Sequence, residues 1–233
     1  MAYTVEKPRR PSASIAIWPP KYWGEVLAGF RVKAVGVTTQ MYSILEGGET
    51  PITWQRNSSW RDSPDAAKFM AGVYRQSGCP PHRRFPLYKL LTLGEERRRA
   101  FLPYDVKAAI LERLTGSLVT DYSTAASSGL FDTAKKDWNR ELVSKLGLGQ
   151  EMLPMAQPHN LAAGELCIPG GKGIVVAPAL GDGPSASYAC MDYSDVCCNV
   201  GTSSAARIIT KYPNRYLDQG LWRFPADGES RTT

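Results

Sequence analysis

Residues 173–186 read Gly173-Ile174-Val175-Val176-Ala177-Pro178-Ala179-Leu180-Gly181-Asp182-Gly183-Pro184-Ser185-Ala186, and their reading decides that of the whole chain. The run from Gly173 to Leu180 has the apolar, β-branched pattern of a buried strand. It delivers one carboxylate, Asp182, into a turn flanked by glycines. A second run, Asn199-Val200-Gly201-Thr202-Ser203-Ser204-Ala205-Ala206-Arg207, ends another apolar stretch in small residues. Glycine lets the backbone come close to a ligand, and successive N–H groups can face an anion. A carboxylate that can deprotonate a hydroxyl, followed by a nest that can hold phosphate, is the minimum that phosphoryl transfer to a hydroxyl requires. Taken singly, Asp182 reads as an Asx turn and Gly201-Thr202-Ser203 as an ordinary turn.

Working outward, Val32 to Val37 is a β-branched run with strand character, ending in Thr38-Thr39-Gln40. Short strands are expected around Tyr42–Leu45 and Pro51–Trp54, separated by Glu46-Gly47-Gly48. The middle of the chain is helical. Ser63-Pro64-Asp65 combines an N-cap hydroxyl, a proline suited to the first turn and an acid at the positive dipole end, with Gly78 as the stop. Phe69, Met70 and Val73 are expected on its buried face. Asp105 to Leu114 and Asn139 to Leu146 repeat the pattern, closed by Gly116 and Gly147. Lys21 to Phe30 fits a short amphipathic helix, whereas the rest of residues 1–31 is poorly defined. Val200 to Thr210 and Tyr216 to Phe224 are expected to be β structure.

The chain has 233 residues, 43% hydrophobic and 21% charged, with a formal net charge of +6. That is ordinary globular composition. The positive charge sits in short clusters, Lys7/Arg9/Arg10, Arg83/Arg84 and Arg97/Arg98/Arg99. No nucleic-acid-binding module accompanies them, so they read as solvated surface and no nucleic-acid partner is expected. A positive field also suits an anionic substrate. The five cysteines are odd in number and lack metal-ligand spacing; no metal site is expected, and a reducing, cytoplasmic location fits. Cys190 and Cys197/Cys198 read as small hydrophobes. No apolar run approaches the roughly 18 residues of a membrane span. Gly170-Gly171-Lys172-Gly173 lacks the spacing of a P-loop.

From about Val32 to about Phe224 the sequence resembles the FGGY carbohydrate kinases. The motifs that carry the resemblance come in order. They are Thr38-Thr39-Gln40-Met41, Ile52-Thr53-Trp54, Ser77-Gly78-Cys79-Pro80-Pro81-His82 and Lys89-Leu90-Leu91, then Arg113-Leu114-Thr115-Gly116 and Asp121-Tyr122-Ser123-Thr124-Ala125. Gly129-Leu130-Phe131-Asp132 with Trp138, Leu153-Pro154, Gly181-Asp182-Gly183 and Val200-Gly201-Thr202-Ser203 complete the series.

The resemblance implies an α/β ribonuclease-H-like (actin-like ATPase) fold, an incomplete first domain plus the beginning of a second. Residues 32–180 would be a partial sugar-binding domain and 181–233 the start of a nucleotide-binding domain. It implies transfer of the ATP γ-phosphate, with Mg2+, to a hydroxyl of gluconate, xylulose or a related sugar or sugar acid. Asp182 would be the general base and a substrate contact. Gln40, Met41 and Tyr42 would line the sugar pocket, and Gly201, Thr202 and Ser203 would meet the nucleotide phosphates. Asp121 and Ser123 would support the pocket. Tyr42 stands where many family members have histidine, and Arg56 and Ser58 replace the acid and base of a W-x-D-x-R pattern after Trp54.

Nothing in residues 1–31 matches the family's opening acid-glycine-threonine turn, so the chain is expected to be truncated at both ends and slow or inactive alone. Unpaired edges would favour a homo-oligomer. The competing expectation is a catalytically inactive remnant that binds sugar or regulates.

Overall fold

The computed structural model describes residues 31–46, 50–53, 64–99, 101–102, 105–200, 204–211 and 220–225. The expected helix at Lys21–Phe30, the aromatic segment from Trp54, the turn Gly201-Thr202-Ser203 and residues 216–219 lie outside these residues, and the rest of the expected C-terminal β stretch, 220–224, forms no strand. Strands β1 (Ala34–Gly36), β2 (Ile44–Glu46) and β3 (Thr50–Ile52) come first. Helices α1 (Pro64–Ser77), α2 (Pro86–Leu90) and α3 (Glu95–Arg98) follow, then β4 (Phe101–Leu102), α4 (Val106–Thr115) and β5 (Val119–Asp121). Next are α5 (Tyr122–Ala126), β6 (Phe131–Asp132), β7 (Asp137–Trp138), α6 (Arg140–Lys145), β8 (Met155–Gln157) and β9 (Gly164–Glu165). The described chain closes with β10 (Val175–Ala177), α7 (Asp182–Cys190), β11 (Val196–Val200) and β12 (Ser204–Ile208).

Two parallel pairings position the site. β1 lies beside β10 with Val35 opposite Val176, and β5 lies beside β8 with Thr120 opposite Ala156. Parallel strands present their carboxyl ends at one edge, where α/β folds place their ligands. β9 joins β10 antiparallel, while β2 pairs antiparallel with both β3 and β4. The largest core cluster joins Met41, Ile44, Phe85, Leu87, Tyr88, Phe131 and Trp138. A second packs Leu111 and Leu114 of α4 against Val119, Leu166, Ile174 and Val176.

Most helix ends follow their sequence signals. The Asp105 carboxylate accepts from Ala108 N (3.0 Å) and caps α4, while Asn139 accepts from Leu142 N (3.0 Å) and caps α6. Gly78 ends α1 at φ 76°, and a Cβ there would lie 2.3 Å from the Arg223 carbonyl oxygen. Glycine alone fits both the angle and the contact.

Four expectations are corrected. Phe69 is exposed, because the buried stripe of α1 runs through Met70, Val73 and Ser77, at helical spacing one position away. The strand expected over 173–180 is only three residues long. Pro178 has no N–H to continue it, and Ala179 turns left-handed at φ 48°. Its Val175 is partly exposed, so one face alone is core. The chain then enters a helix before its next strand, so Asp182 occupies the first turn of α7 instead of a free turn. Local signals for that helix were present: an acid in its first turn and Pro184 close behind.

All five cysteines are free, and Cys198 is exposed rather than buried. Cys190 and Cys197 bring their sulfurs to 3.6 Å, joining α7 to β11. No helix among the described residues is long and apolar enough to cross a membrane.

Candidate functional site

The segments leaving β1 and β10 are laced together. Val37 N donates to Ala177 O (3.0 Å), the Thr38 hydroxyl donates to Leu180 O (2.9 Å), and Asp182 N donates to Thr39 O (3.0 Å). Below them, a Cβ built on Gly181 would lie 2.6 Å from Met41 Cγ and 2.7 Å from its sulfur. The Gln40–Tyr42 segment and the Asp182 turn are therefore packed together, with Gln40 and Asp182 exposed at the surface.

On that surface the Asp182 carboxylate is exposed, and its Oδ1 accepts from the neighbouring Gly183 N (2.9 Å). The positive end of α7 suits a carboxylate at this place. Gln40 is exposed beside it. Tyr42 is half-buried at φ 66°, with its ring edge-on to Phe85 (centroids 5.3 Å apart) and Trp222 (5.0 Å). Burial, followed by the charges of Cys79 and Asp182, pushes its phenol above the ordinary range. Tyr42 thus remains a neutral O–H donor close to an anionic acceptor.

Its backbone is anchored by Lys89, whose Nζ donates to Tyr42 O (3.3 Å) and Thr53 O (2.7 Å). Burial first, and then Arg84, lower the Lys89 ammonium to about 8. Met41 differs from its neighbours. It is only 1% exposed, so its side chain supports the turn from beneath and is not offered to a ligand.

Two cations act on Tyr42. The guanidinium of Arg207 bonds Asn199 Oδ1 and lies beside Gly183, where a Cβ would come within 3.1 Å of Nη2. Arg84 lies 5.7 Å over the Trp222 ring. Both oppose the rise in the Tyr42 pKa. Arg207 closes the second quoted run, but sequence alone gave it no role. Its signal was a lone cation in a run of small residues.

The residues assigned to the nucleotide phosphates, Gly201, Thr202 and Ser203, lie outside the described residues. The flanking strands β11 and β12 pair in antiparallel register, with Val200 opposite Ser204. Among the described residues no group of three or more His, Cys, Asp or Glu side chains could hold a metal.

A separate small pocket with about 10 Å³ of space is lined in part by Ser43, Pro86, Asp105, Thr124 and Trp138. It has room for a single water, and the Ser43 hydroxyl is buried there without a protein partner. This space is too small for a sugar.

Asp105, on its wall, has its carboxyl raised to about 6, chiefly by burial and in part by Asp121, against the opposing Ala108 N–H bond and Lys107 charge. Between pH 3.8 and about 6 the folded chain then binds more protons than the unfolded chain. This group's contribution to stability therefore falls as pH rises through that window. Asp105→Asn keeps the capping oxygen but carries no charge. In urea titrations at several pH values it should reduce that fall in stability, while leaving the midpoint at pH 7 unchanged or higher.

A family model, the N-terminal domain of the FGGY family of carbohydrate kinases, matches residues 27–187. The chain belongs to the FGGY family. Among curated FGGY relatives, an uncharacterized sugar kinase of Archaeoglobus fulgidus is 30% identical over 145 residues, 59% of this chain and 28% of that protein. The gluconokinase of Bacillus subtilis is 24% identical over 203 residues, 78% of this chain and 40% of the relative. Among solved structures, a ligand-bound xylulose kinase from Lactobacillus acidophilus superposes with a TM-score of 0.71 at 22% identity. It covers 99% of this chain and 52% of that one, so this chain spans about half the solved structure and less of the curated relatives. The expected ribonuclease-H-like, actin-like α/β fold of the FGGY kinases is the fold observed.

In the FGGY setting Gly181 is a sensitive position. Gly181→Ala would drive a methyl into the buried Met41 side chain. Overpacking of this kind costs roughly 1–3 kcal/mol. An unfolding free energy in urea lowered by that amount is expected; an unchanged value would show that Met41 yields freely.

Proposed function

We propose that this chain carries the sugar side of an ATP-dependent carbohydrate kinase, with Asp182 as general base. The observation that carries the reading is the Asp182 N–H to Thr39 carbonyl bond, which ties the backbone that bears the exposed carboxylate to the segment that carries Gln40 and Tyr42. A sugar hydroxyl is a weak nucleophile. A carboxylate within hydrogen-bond reach removes its proton as the phosphoryl group is transferred, leaving an alkoxide-like oxygen to form the new phosphorus–oxygen bond. Gln40 offers both donor and acceptor atoms to a polyhydroxyl substrate, and Tyr42 offers a neutral O–H. Nucleotide phosphates fit the donor set on one count: Arg207 has no acidic partner among the described residues and lies beside the Asp182 turn. When bound, ATP with Mg2+ would supply the γ-phosphoryl group, and Arg207 and the Gly201-Thr202-Ser203 backbone would be the groups on this chain that hold it.

The substrate class is a sugar or sugar acid such as gluconate, xylulose or a related polyol. The Arg207 and Arg84 charges suit an acid group or a phosphate equally. A cytoplasmic location belongs to the same reading and is supported by five free cysteines. The test is calorimetric titration with gluconate, xylulose and glycerol, alongside sugar-dependent ADP release with ATP and magnesium. Saturable binding of one sugar with ADP release is expected. Binding without ADP release would reduce the chain to a sugar-binding remnant, and no binding of any polyol would remove the reading.

A further inference from the structure

We propose that Ser123, locked by the buried Lys107–Asp121 ion pair, is the positioning residue for the Asp182 turn. The inference rests on the reading of Asp182 as the base. It begins with a cost. Lys107 Nζ and Asp121 Oδ1 are 2.6 Å apart and neither side chain is exposed. An ion pair so deep gains little net stability over apolar packing, because both charges surrender their hydration. Its interest lies in where its bonds lead.

Asp121 is a crowded acceptor. Besides Lys107, it takes the backbone N–H groups of Ser123 (2.8 Å) and Thr124 (3.3 Å) and the hydroxyls of both residues. The Ser123 proton is thereby committed to Asp121, which leaves the Ser123 oxygen as an acceptor. It receives the N–H of Gly181 at 3.0 Å, from the residue just before the base. Lys107 makes a second donation, to the carbonyl of Ala179 at 3.1 Å. Ala179 N donates to His159 O (2.9 Å). The stretch from Ala179 to Gly181 is therefore gripped from α4 and from the start of α5.

That grip has strain to resist. Ala179 is left-handed at φ 48°, a conformation that a residue with a side chain holds only when its surroundings enforce it. The Asp182 carboxylate, for its part, has no hydrogen bond among the described residues beyond the neighbouring Gly183 N–H. The direction of its carboxylate is set by the backbone that carries it. Ser123 is the link from the buried charge pair to that backbone, and it acts on Asp182 through Gly181 without touching a substrate.

The experiment compares the full chain with Ser123→Ala, which removes the acceptor, and Ser123→Thr, which retains a hydroxyl. Amide hydrogen exchange is read at Gly181 and Asp182, and kcat and KM with the sugar that binds best. In Ser123→Ala the Gly181 amide should exchange about tenfold faster, the worth of one ordinary hydrogen bond, with protection in α4 and β5 unchanged. A misplaced base should lower kcat by about 10- to 100-fold at near-constant KM. Ser123→Thr should restore both. An unchanged Gly181 amide in Ser123→Ala overturns the proposal, as does a loss of protection spread over the whole chain or a change confined to KM. Should the unmodified protein release no ADP, the kinase reading falls, while the exchange data still decide whether Ser123 holds the turn.

Discussion

Lys107→Met is expected to destabilise the fold by roughly 3–5 kcal/mol, the range found when one partner of a buried ion pair is removed. The methionine fills similar space, so packing is not the source of the loss. Asp121 remains fully buried and charged, with the Ser123 and Thr124 donors but no counterion. The Ala179 carbonyl loses its donor at the same stroke. Against a typical domain stability of about 5–15 kcal/mol, a change of this size is a large part of the whole. Asp121→Asn on the same background removes the stranded charge and keeps one carbonyl oxygen as acceptor, so the double variant should recover part of the loss. Urea unfolding of the three proteins measures this directly. A loss below about 1 kcal/mol in Lys107→Met would mean that water reaches Asp121, and the buried pair would lose the role given to it above.

Much of this arrangement could be read from the residues, and the failures have physical causes. Strands around Val35 and Val176 were visible because β-branched residues cluster there, and the ends of α4 and α6 because Asp105 and Asn139 announce their caps. The ordered motifs pointed to the family and so to the fold. Helix α7 was missed because the glycines around Asp182 speak for a turn, while the packing of Pro184 and Ser187 into the core favours a helix. Phe69 was misplaced by one position, since a helical stripe has no phase until its neighbours are known. Lys107 could not be recognised as buried. On a helix a lysine reads as solvated, and only the approach of Asp121 and Ala179 from other segments shows otherwise. Met41 was placed in the pocket by resemblance, yet its side chain lies in the core under Gly181. Of the candidate site, the segments could be named from sequence but not their adjacency: the bond that joins Thr39 to Asp182 spans a long stretch of chain and leaves no mark in sequence.

The second large effect concerns Asp182. Asp182→Asn preserves the size of the side chain and its helix-terminal position but removes the basic oxygen. Because the carboxylate is exposed and, among the described residues, bonded only to Gly183 N, the fold should tolerate the change, its unfolding free energy in urea changing by less than about 0.5 kcal/mol. Sugar binding should largely persist, since Gln40 and Tyr42 are untouched and the asparagine oxygen still accepts a hydrogen bond. Proton removal should not. Positioned bases contribute about 10²- to 10⁴-fold, and an amide cannot substitute for one. The decisive measurement is sugar-dependent ADP release by the unmodified chain and by Asp182→Asn, side by side, with sugar affinity measured on both. A fall in kcat of at least about 10²-fold at similar affinity is the result expected of a base. Equal turnover in the two proteins would contradict the assignment of Asp182 and with it the catalytic reading of this site.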